Sequence, residues 1–177
     1  MSTTQWIILI LLSLANLWFN WWVSLRKKRF HGIFRLVSFE CILLMVVLQA
    51  PVWFRNAMRW YQVISWILLA GSLLIAISGF LTFYRKGKPS DRMEETITLI
   101  KSGLYRYIRH PLYLSLLIGG FGVMMKEPKI LQVLLSVANA AALWFTARIE
   151  EREMIRKFGQ EYCEYMQKSK MFIPLVL

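Results

Sequence analysis

Residue types that usually announce a metal or redox centre are scarce in this chain. It has two cysteines, Cys41 and Cys163, far apart and in no metal-ligand spacing. They read as packing residues or free thiols rather than a disulfide or zinc site. The two histidines, His31 and His110, exclude a multi-histidine metal centre. No strand leads through a glycine-rich turn into a helix, so a soluble dinucleotide-binding domain is excluded. Acid is scarce as well, with 10 Asp+Glu against 22 Lys+Arg and a net charge of +12. Such a charge can signal nucleic acid, but here the basic residues fall in short clusters between long apolar runs. The first five residues carry no base, whereas a cleaved signal peptide needs a positive n-region. Ser13-Leu14-Ala15 loosely resembles a cleavage site, yet the first apolar run reads as a retained membrane helix.

What is abundant is apolar: 57% of 177 residues, against about 45–50% in ordinary soluble domains. The first run, Thr4 to Leu25, can cross a ~30 Å hydrocarbon core. It closes on Trp18, Trp21 and Trp22, then Arg26-Lys27-Lys28-Arg29, an aromatic belt followed by a basic flank. Further runs cover Ile33 to Phe54 and Trp60 to Tyr84. After a polar segment, in which Ser90 or Asp91 would cap a short helix with Glu94 and Glu95 in its first turn, come Pro111 to Met125 and Ile130 to Ile149. The last continues helically, without a breaker, to Gly159.

Basic residues number five in 26–35, seven in 85–109 and six in 148–170, leaving Arg55, Arg59, Lys126 and Lys129 for the other side. The positive-inside rule places the three large clusters in the cytoplasm. The expected architecture is therefore an all-α integral membrane protein in one domain over 1–177, with about five transmembrane helices. The N-terminus is outside and the C-terminus cytoplasmic. The last two helices form a hairpin with cytoplasmic helical extensions. The bilayer is the expected partner, nucleic acid is not, and oligomeric state is unreadable.

Glu40 lies about seven residues into the second run. An intramembrane acid is a functional candidate, or else it is an ion-pair or hydrogen-bond partner of a neighbouring helix. Asn16, Asn20, Gln49, Gln132 and Asn139 read as interhelical hydrogen-bonding groups, and Gly71, Ser72, Gly79, Ser115, Gly119 and Gly122 as close-packing positions.

Two polar stretches stand out. In Ser102-Gly103-Leu104-Tyr105-Arg106-Tyr107-Ile108-Arg109-His110-Pro111-Leu112-Tyr113, Gly103 marks a turn and Pro111 suits a first helical position, with His110 at the N-cap. Unsatisfied N–H groups at that helix start, among Arg, His and Tyr, would cradle a ligand with a carboxylate and an aromatic ring. The same residues also read as a basic, aromatic membrane flank. The second stretch runs from Arg148 through Glu150, Glu151 and Phe158 to Tyr162 and Tyr165. It is a solvated, salt-bridged helix on one reading, but its apolar and aromatic residues need cover.

Gly103-Leu104-Tyr105-Arg106, with Arg109-His110-Pro111-Leu112-Tyr113, resembles the signature of the integral-membrane methyltransferases. That group includes the isoprenylcysteine carboxyl methyltransferases and phospholipid N-methyltransferases. Glu150-Glu151, Phe158-Gly159-Gln160-Glu161-Tyr162, Tyr165 and Pro174 are similar to its C-terminal signature. Ser115 and Leu104 depart from it, where glycine and proline are common. The resemblance covers about 95–174, the first two helices matching only as generic spans, and implies a cofactor-binding core over 89–177 after the three helices that the apolar runs place over 1–88.

It also implies S-adenosylmethionine, in a cytoplasm-facing pocket, and a lipidic or prenylated methyl acceptor. Arg109, His110, Tyr113, Glu150 and Glu151 match its motifs. His110 and the helix start would hold the methionyl carboxylate, Glu150 or Glu151 the ammonium or ribose, and Leu99, Ile100, Tyr105 and Tyr107 the adenine. Glu151 also stands among the expected catalytic residues. Arg148 would orient a carboxylate acceptor; an amine acceptor would need a carboxylate such as Glu40 or Glu150. A phospholipid N-methyltransferase, an NADPH-dependent membrane reductase and a non-enzymatic membrane protein are the rival readings.

Overall fold

The computed structural model describes residues 2–24, 26, 31–55, 59–87 and 98–173. Its helices are α1 (Thr3–Val23), α2 (His31–Gln49), α3 (Trp60–Lys86), α4 (Pro111–Met124), α5 (Ile130–Phe158) and α6 (Gln160–Lys168). Short 3-10 turns cover Ala50–Val52 and Gly103–Arg106. No strand occurs among the described residues, apart from one isolated parallel bridge between Ile108 and Lys170. The expected cap at Ser90 or Asp91, the acids Glu94 and Glu95, and Pro174 lie outside the described residues.

Among the described residues, four helices are long and apolar enough to cross a membrane: Thr3–Val23, the helical stretch His31–Val52, Trp60–Lys86 and Ile130–Phe158. The expected fifth span does not reach that length. Pro111–Met124 is apolar but has 14 residues, about 21 Å at 1.5 Å per residue against ~30 Å of hydrocarbon. Large apolar side chains such as Trp6, Leu11, Trp18, Leu74 and Leu134 point outward, as they must in lipid. The molecule is an integral membrane protein.

Each helix pair is registered by polar groups that the apolar runs carry sparingly. Ser65, Ser72 and Gly79 recur every seven residues and form one stripe on α3. Ser65 Oγ donates to the Gly122 carbonyl at 2.6 Å and Ser72 Oγ to the Ser115 carbonyl at 2.8 Å. A Cβ on Gly79 would meet the Leu112 side chain at 3.2 Å, so α4 packs closely against α3 at this position. Between α2 and α5, Ser38 Oγ donates to Asn139 Oδ1 at 2.7 Å and Phe34 stacks on Phe145. Between α1 and α2, Gln5 Nε2 donates to the Val47 carbonyl at 2.9 Å. α4 and α5 follow one another through the turn at 125–129 and touch. Yet α4 lies chiefly along α3, and α5 chiefly along α2. The four are an interleaved bundle more than an isolated hairpin.

Two expectations for polar residues differ. Gln49 and Gln132 are buried, but neither amide group of Gln49 nor Gln132 Oε1 makes a hydrogen bond among the described residues. Lys126, counted among the basic residues of the other side, is buried with its ammonium 3.2 Å from the centroid of the Trp66 ring. It takes the ring's π face in place of water.

Gly120 tests this packing. A Cβ there would lie 2.5 Å from Asn139 Nδ2, displacing the side chain that Ser38 holds. Gly120→Ala is expected to destabilise the bundle by about 1–3 kcal/mol, seen as a lower melting temperature in detergent. An unchanged melt would mean that Asn139 moves at no cost.

Candidate functional site

The site begins where Gly103 turns the chain. Its φ of +61° is left-handed, and a Cβ there would also press on Thr82 Oγ1 of α3 at 3.1 Å. The 3-10 turn that follows delivers residues 107–110 to the C-terminal segment in a short parallel pairing. The Arg109 N–H donates to the Lys170 carbonyl at 2.7 Å, Lys170 N–H to Tyr107 O at 2.9 Å, and His110 N–H to Met171 O at 3.2 Å. Pro111 then opens α4 with His110 at the N-cap, as its missing N–H favours.

Arg109 and Glu151 lock this junction. Glu151, on α5, is 2% exposed, and its Oε1 accepts from Arg109 Nε at 2.6 Å. The same guanidinium donates to the carbonyls of Met166 and Ser169, so it clasps α5, α6 and the tail at once. His110 stands between two carboxylates, with Nδ1 3.5 Å from Glu150 Oε2 and Nε2 3.5 Å from Glu151 Oε1. Neither His110 Nε2 nor Glu151 Oε2, both buried, makes a hydrogen bond among the described residues. Tyr113 stacks on the His110 ring at 5.4 Å, and Phe172 leans on it at 6.1 Å.

Above this junction is a cavity of about 290 Å³, at the small end of the ~300–1,000 Å³ typical of ligand pockets. Leu99, Ile100, Tyr105, Arg109, His110, Tyr113 and Glu150 all line it. Four expected residues do not. Glu151 sits behind the wall, held by Arg109. Tyr107 is 59% exposed. The Arg148 side chain is 51% exposed, over the Trp144 ring, with Nη1 3.9 Å from Glu151 Oε2. Glu40 is bonded to Ser13 and Asn16 of α1.

Sequence reasoning missed part of the lining. Phe19 and Val23 of α1, Arg35 and Phe39 of α2, Phe80 and Phe83 of α3, and Leu116 of α4 form an apolar wall with one cation in it. Tyr162 and Tyr165 of α6 close the opposite, polar end. Arg35 was legible only as the last member of the basic flank; its position inside an apolar helix was the signal to separate it. Burial, with Glu151 and Glu150 nearby, pushes the Tyr162 hydroxyl well up, and burial does the same to Tyr105 and moves Tyr165 to about 12. These tyrosines therefore act as neutral walls and hydrogen-bonding groups. Tyr165 already donates its hydroxyl to the Tyr105 carbonyl at 2.5 Å.

The family model described as phospholipid methyltransferase matches residues 60–161, more than half of the chain. The chain belongs to that family. The matched stretch runs from α3 into α6 and holds the Arg109–Glu151 junction, His110, Tyr113 and Glu150. It leaves out α1, α2 and Arg35. Among individual relatives, the chain is similar to human protein-S-isoprenylcysteine O-methyltransferase, 28% identical over 127 residues, covering 64% of this chain and 43% of that one. To protein-S-isoprenylcysteine O-methyltransferase B of Arabidopsis thaliana it is 35% identical over 91 residues, covering 48% and 44%. To methanethiol S-methyltransferase 1 of Bradyrhizobium diazoefficiens it is 31% identical over 71 residues, covering 40% and 24%. The chain thus spans less than half the length of these relatives.

Removing Arg109 would leave the Glu151 carboxylate buried without its bonded cation and free two carbonyls of the tail. Arg109→Ala is expected to cost about 3–5 kcal/mol. Amide hydrogen exchange should rise across 160–172. Wild-type protection there would show that the clasp is dispensable.

Proposed function

We propose that this chain is a membrane methyltransferase that uses S-adenosylmethionine and methylates a lipidic or prenylated acceptor, most like isoprenylcysteine carboxyl O-methylation. One observation carries the reading: a cavity with a charged end, where Glu150, His110, Tyr105 and Tyr113 lie on the family-matched stretch and Tyr162 and Tyr165 just past it, and a phenylalanine-lined end among α1, α2 and α3. The names of the relatives support the same class.

The residues present suit such a cofactor, which joins a carboxylate, an ammonium, a flat base and a sulfonium. Glu150 supplies a carboxylate for the ammonium or the ribose. His110, which lines the cavity, and the α4 start, with the first-turn N–H groups of Leu112 and Tyr113, suit the carboxylate. Leu99, Ile100 and Tyr105 suit the base. Glu151 does not line the cavity; its work is to hold Arg109, and through Arg109 the floor. When bound, S-adenosylmethionine supplies an electrophilic methyl on sulfur. The chain's own contribution is alignment and exclusion of water, which the apolar wall and the closed tail provide.

The topology completes the proposal. The three basic clusters face the cytoplasm, and so does the charged end of the cavity. α4 serves as a short fifth crossing, its deficit in length made up by the polar turn beneath it. The acceptor's apolar chain reaches the site from the bilayer.

Binding of S-adenosylhomocysteine to the detergent-purified protein is the test. A dissociation constant in the micromolar range is expected, weakened about tenfold by Glu150→Gln and unchanged by Arg148→Ala, since that side chain lies outside the cavity. Calorimetry that detects no binding to the wild type would remove the methyltransferase reading. Undiminished binding by the Glu150 variant would remove its assigned role.

A further inference from the structure

Arg35 is the fifth residue of α2, within a helix that is otherwise apolar around it, yet it is 7% exposed and lines the cavity. A guanidinium in that setting must be hydrogen-bonded to be tolerated. Its Nε donates to Asn20 Oδ1 at 2.9 Å and its Nη2 to Ser24 Oγ at 2.9 Å. The Phe19 ring lies 5.7 Å from its Cζ. From Asn20 the polar chain continues along α1. Asn20 Nδ2 donates to Asn16 Oδ1 at 2.7 Å, and Asn16 Nδ2 donates to Glu40 Oε1 at 2.7 Å. Ser13 Oγ then donates to Glu40 Oε2 at 2.8 Å. Glu40 is the sole acid in residues 1–88. It is tied to the cation through two asparagine amides, which spaces the two charges along α2 and fixes where the guanidinium sits.

We propose that Arg35 reads the reacting end of the acceptor by binding an ionised carboxylate, with Asn20, Asn16 and Glu40 as its positioning residues. The inference rests on the methyltransferase reading above and deepens it. Arg35 stands at the seam of the cavity, among Phe19 and Phe39 of the apolar wall, with Tyr113 and Glu150 as its electrostatic neighbours. An acceptor whose hydrocarbon chain lies along the phenylalanines brings its head group to that seam. The planar guanidinium fork matches a carboxylate.

A carboxylate is ionised at neutral pH and needs no base. Its oxygen lone pair forms the new C–O bond as the methyl–sulfur pair departs with sulfur. An anion and a sulfonium thereby become a neutral ester and a neutral thioether, and no proton moves. Arg148, the arginine that sequence suggested for this task, points instead to solvent beside Trp144.

The test measures equilibrium binding of two probes to the full chain in lipid nanodiscs saturated with S-adenosylhomocysteine. They are N-acetyl-S-farnesylcysteine with a free carboxylate and its neutral carboxamide. The wild type should prefer the carboxylate roughly tenfold or more, the size of one charge-assisted hydrogen bond. Arg35→Gln should abolish that preference by losing carboxylate binding alone. Arg35→Lys should restore part of it, and Asn20→Ala should lower it severalfold. S-adenosylhomocysteine should bind all four proteins equally. Equal binding of the two probes to the wild type, binding of neither, or a preference that survives Arg35→Gln would overturn the proposal. So would loss of S-adenosylhomocysteine binding by a well-folded Arg35→Gln protein, which would move Arg35 to the cofactor. Failure of the wild type to bind S-adenosylhomocysteine would instead defeat the methyltransferase reading on which the proposal rests.

Discussion

The buried pair of Arg109 and Glu151 is the constraint on which the site's architecture depends. A carboxylate taken out of water is tolerable only with a cation and hydrogen bonds in place. Glu151 rides on α5, which is fixed along α2; Arg109 rides on the segment that leads into α4, which is fixed along α3. Their contact therefore joins the two halves of the bundle at one end. Because Arg109 also holds the Met166 and Ser169 carbonyls, the same contact folds α6 and the tail beneath the junction. The parallel pairing at Ile108 and Lys170 is then a consequence, since the two strands of chain are already side by side.

That clasp explains the form of the cavity. Its polar end is built by chain returning from the bundle: the 99–113 segment, the late turns of α5, and α6. Its apolar end is built by helices that pass into the bilayer. No separate soluble domain is needed to enclose it. The tyrosines at the closed end stay neutral because burial and neighbouring carboxylates both oppose their ionisation, so they serve as walls and hydrogen-bonding groups rather than as charges.

Much of this was legible in the sequence. Long apolar runs bounded by tryptophan and basic clusters gave the four long helices to within a few residues at each end, because lipid leaves no other solution for such runs. Pro111 and His110 marked the start of α4, and the glycines at 103 and 159 marked turns. Seven of the residues expected around a ligand do line one cavity. The failures have physical reasons. Arg35 was hidden in a count of flanking charges, since composition does not show which way a side chain points. Glu150 and Glu151 could not be told apart, as adjacent residues on a helix face about 100° apart and only packing shows which one faces inward. The pairing of 107–110 with 170–171 has no periodicity at all and depends wholly on the Arg109 clasp.

The boundary of the family match falls inside the cavity. The matched stretch carries Glu150, His110, Tyr105 and Tyr113 of the charged end together with Phe80, Phe83 and Leu116 of the apolar wall, while Tyr162 and Tyr165 lie just past it. α1 and α2, also outside it, carry Phe19, Phe39 and the only cation on the apolar wall among the described lining residues. In lipid, a helix pair cannot hold a lone charge cheaply, and α1–α2 holds two, linked through Asn16 and Asn20. A bundle under no functional demand would bury less polar surface by replacing both charges with apolar residues. The network's cost is therefore best understood through what it places: a guanidinium at the seam where an apolar chain would meet the polar end of the cavity.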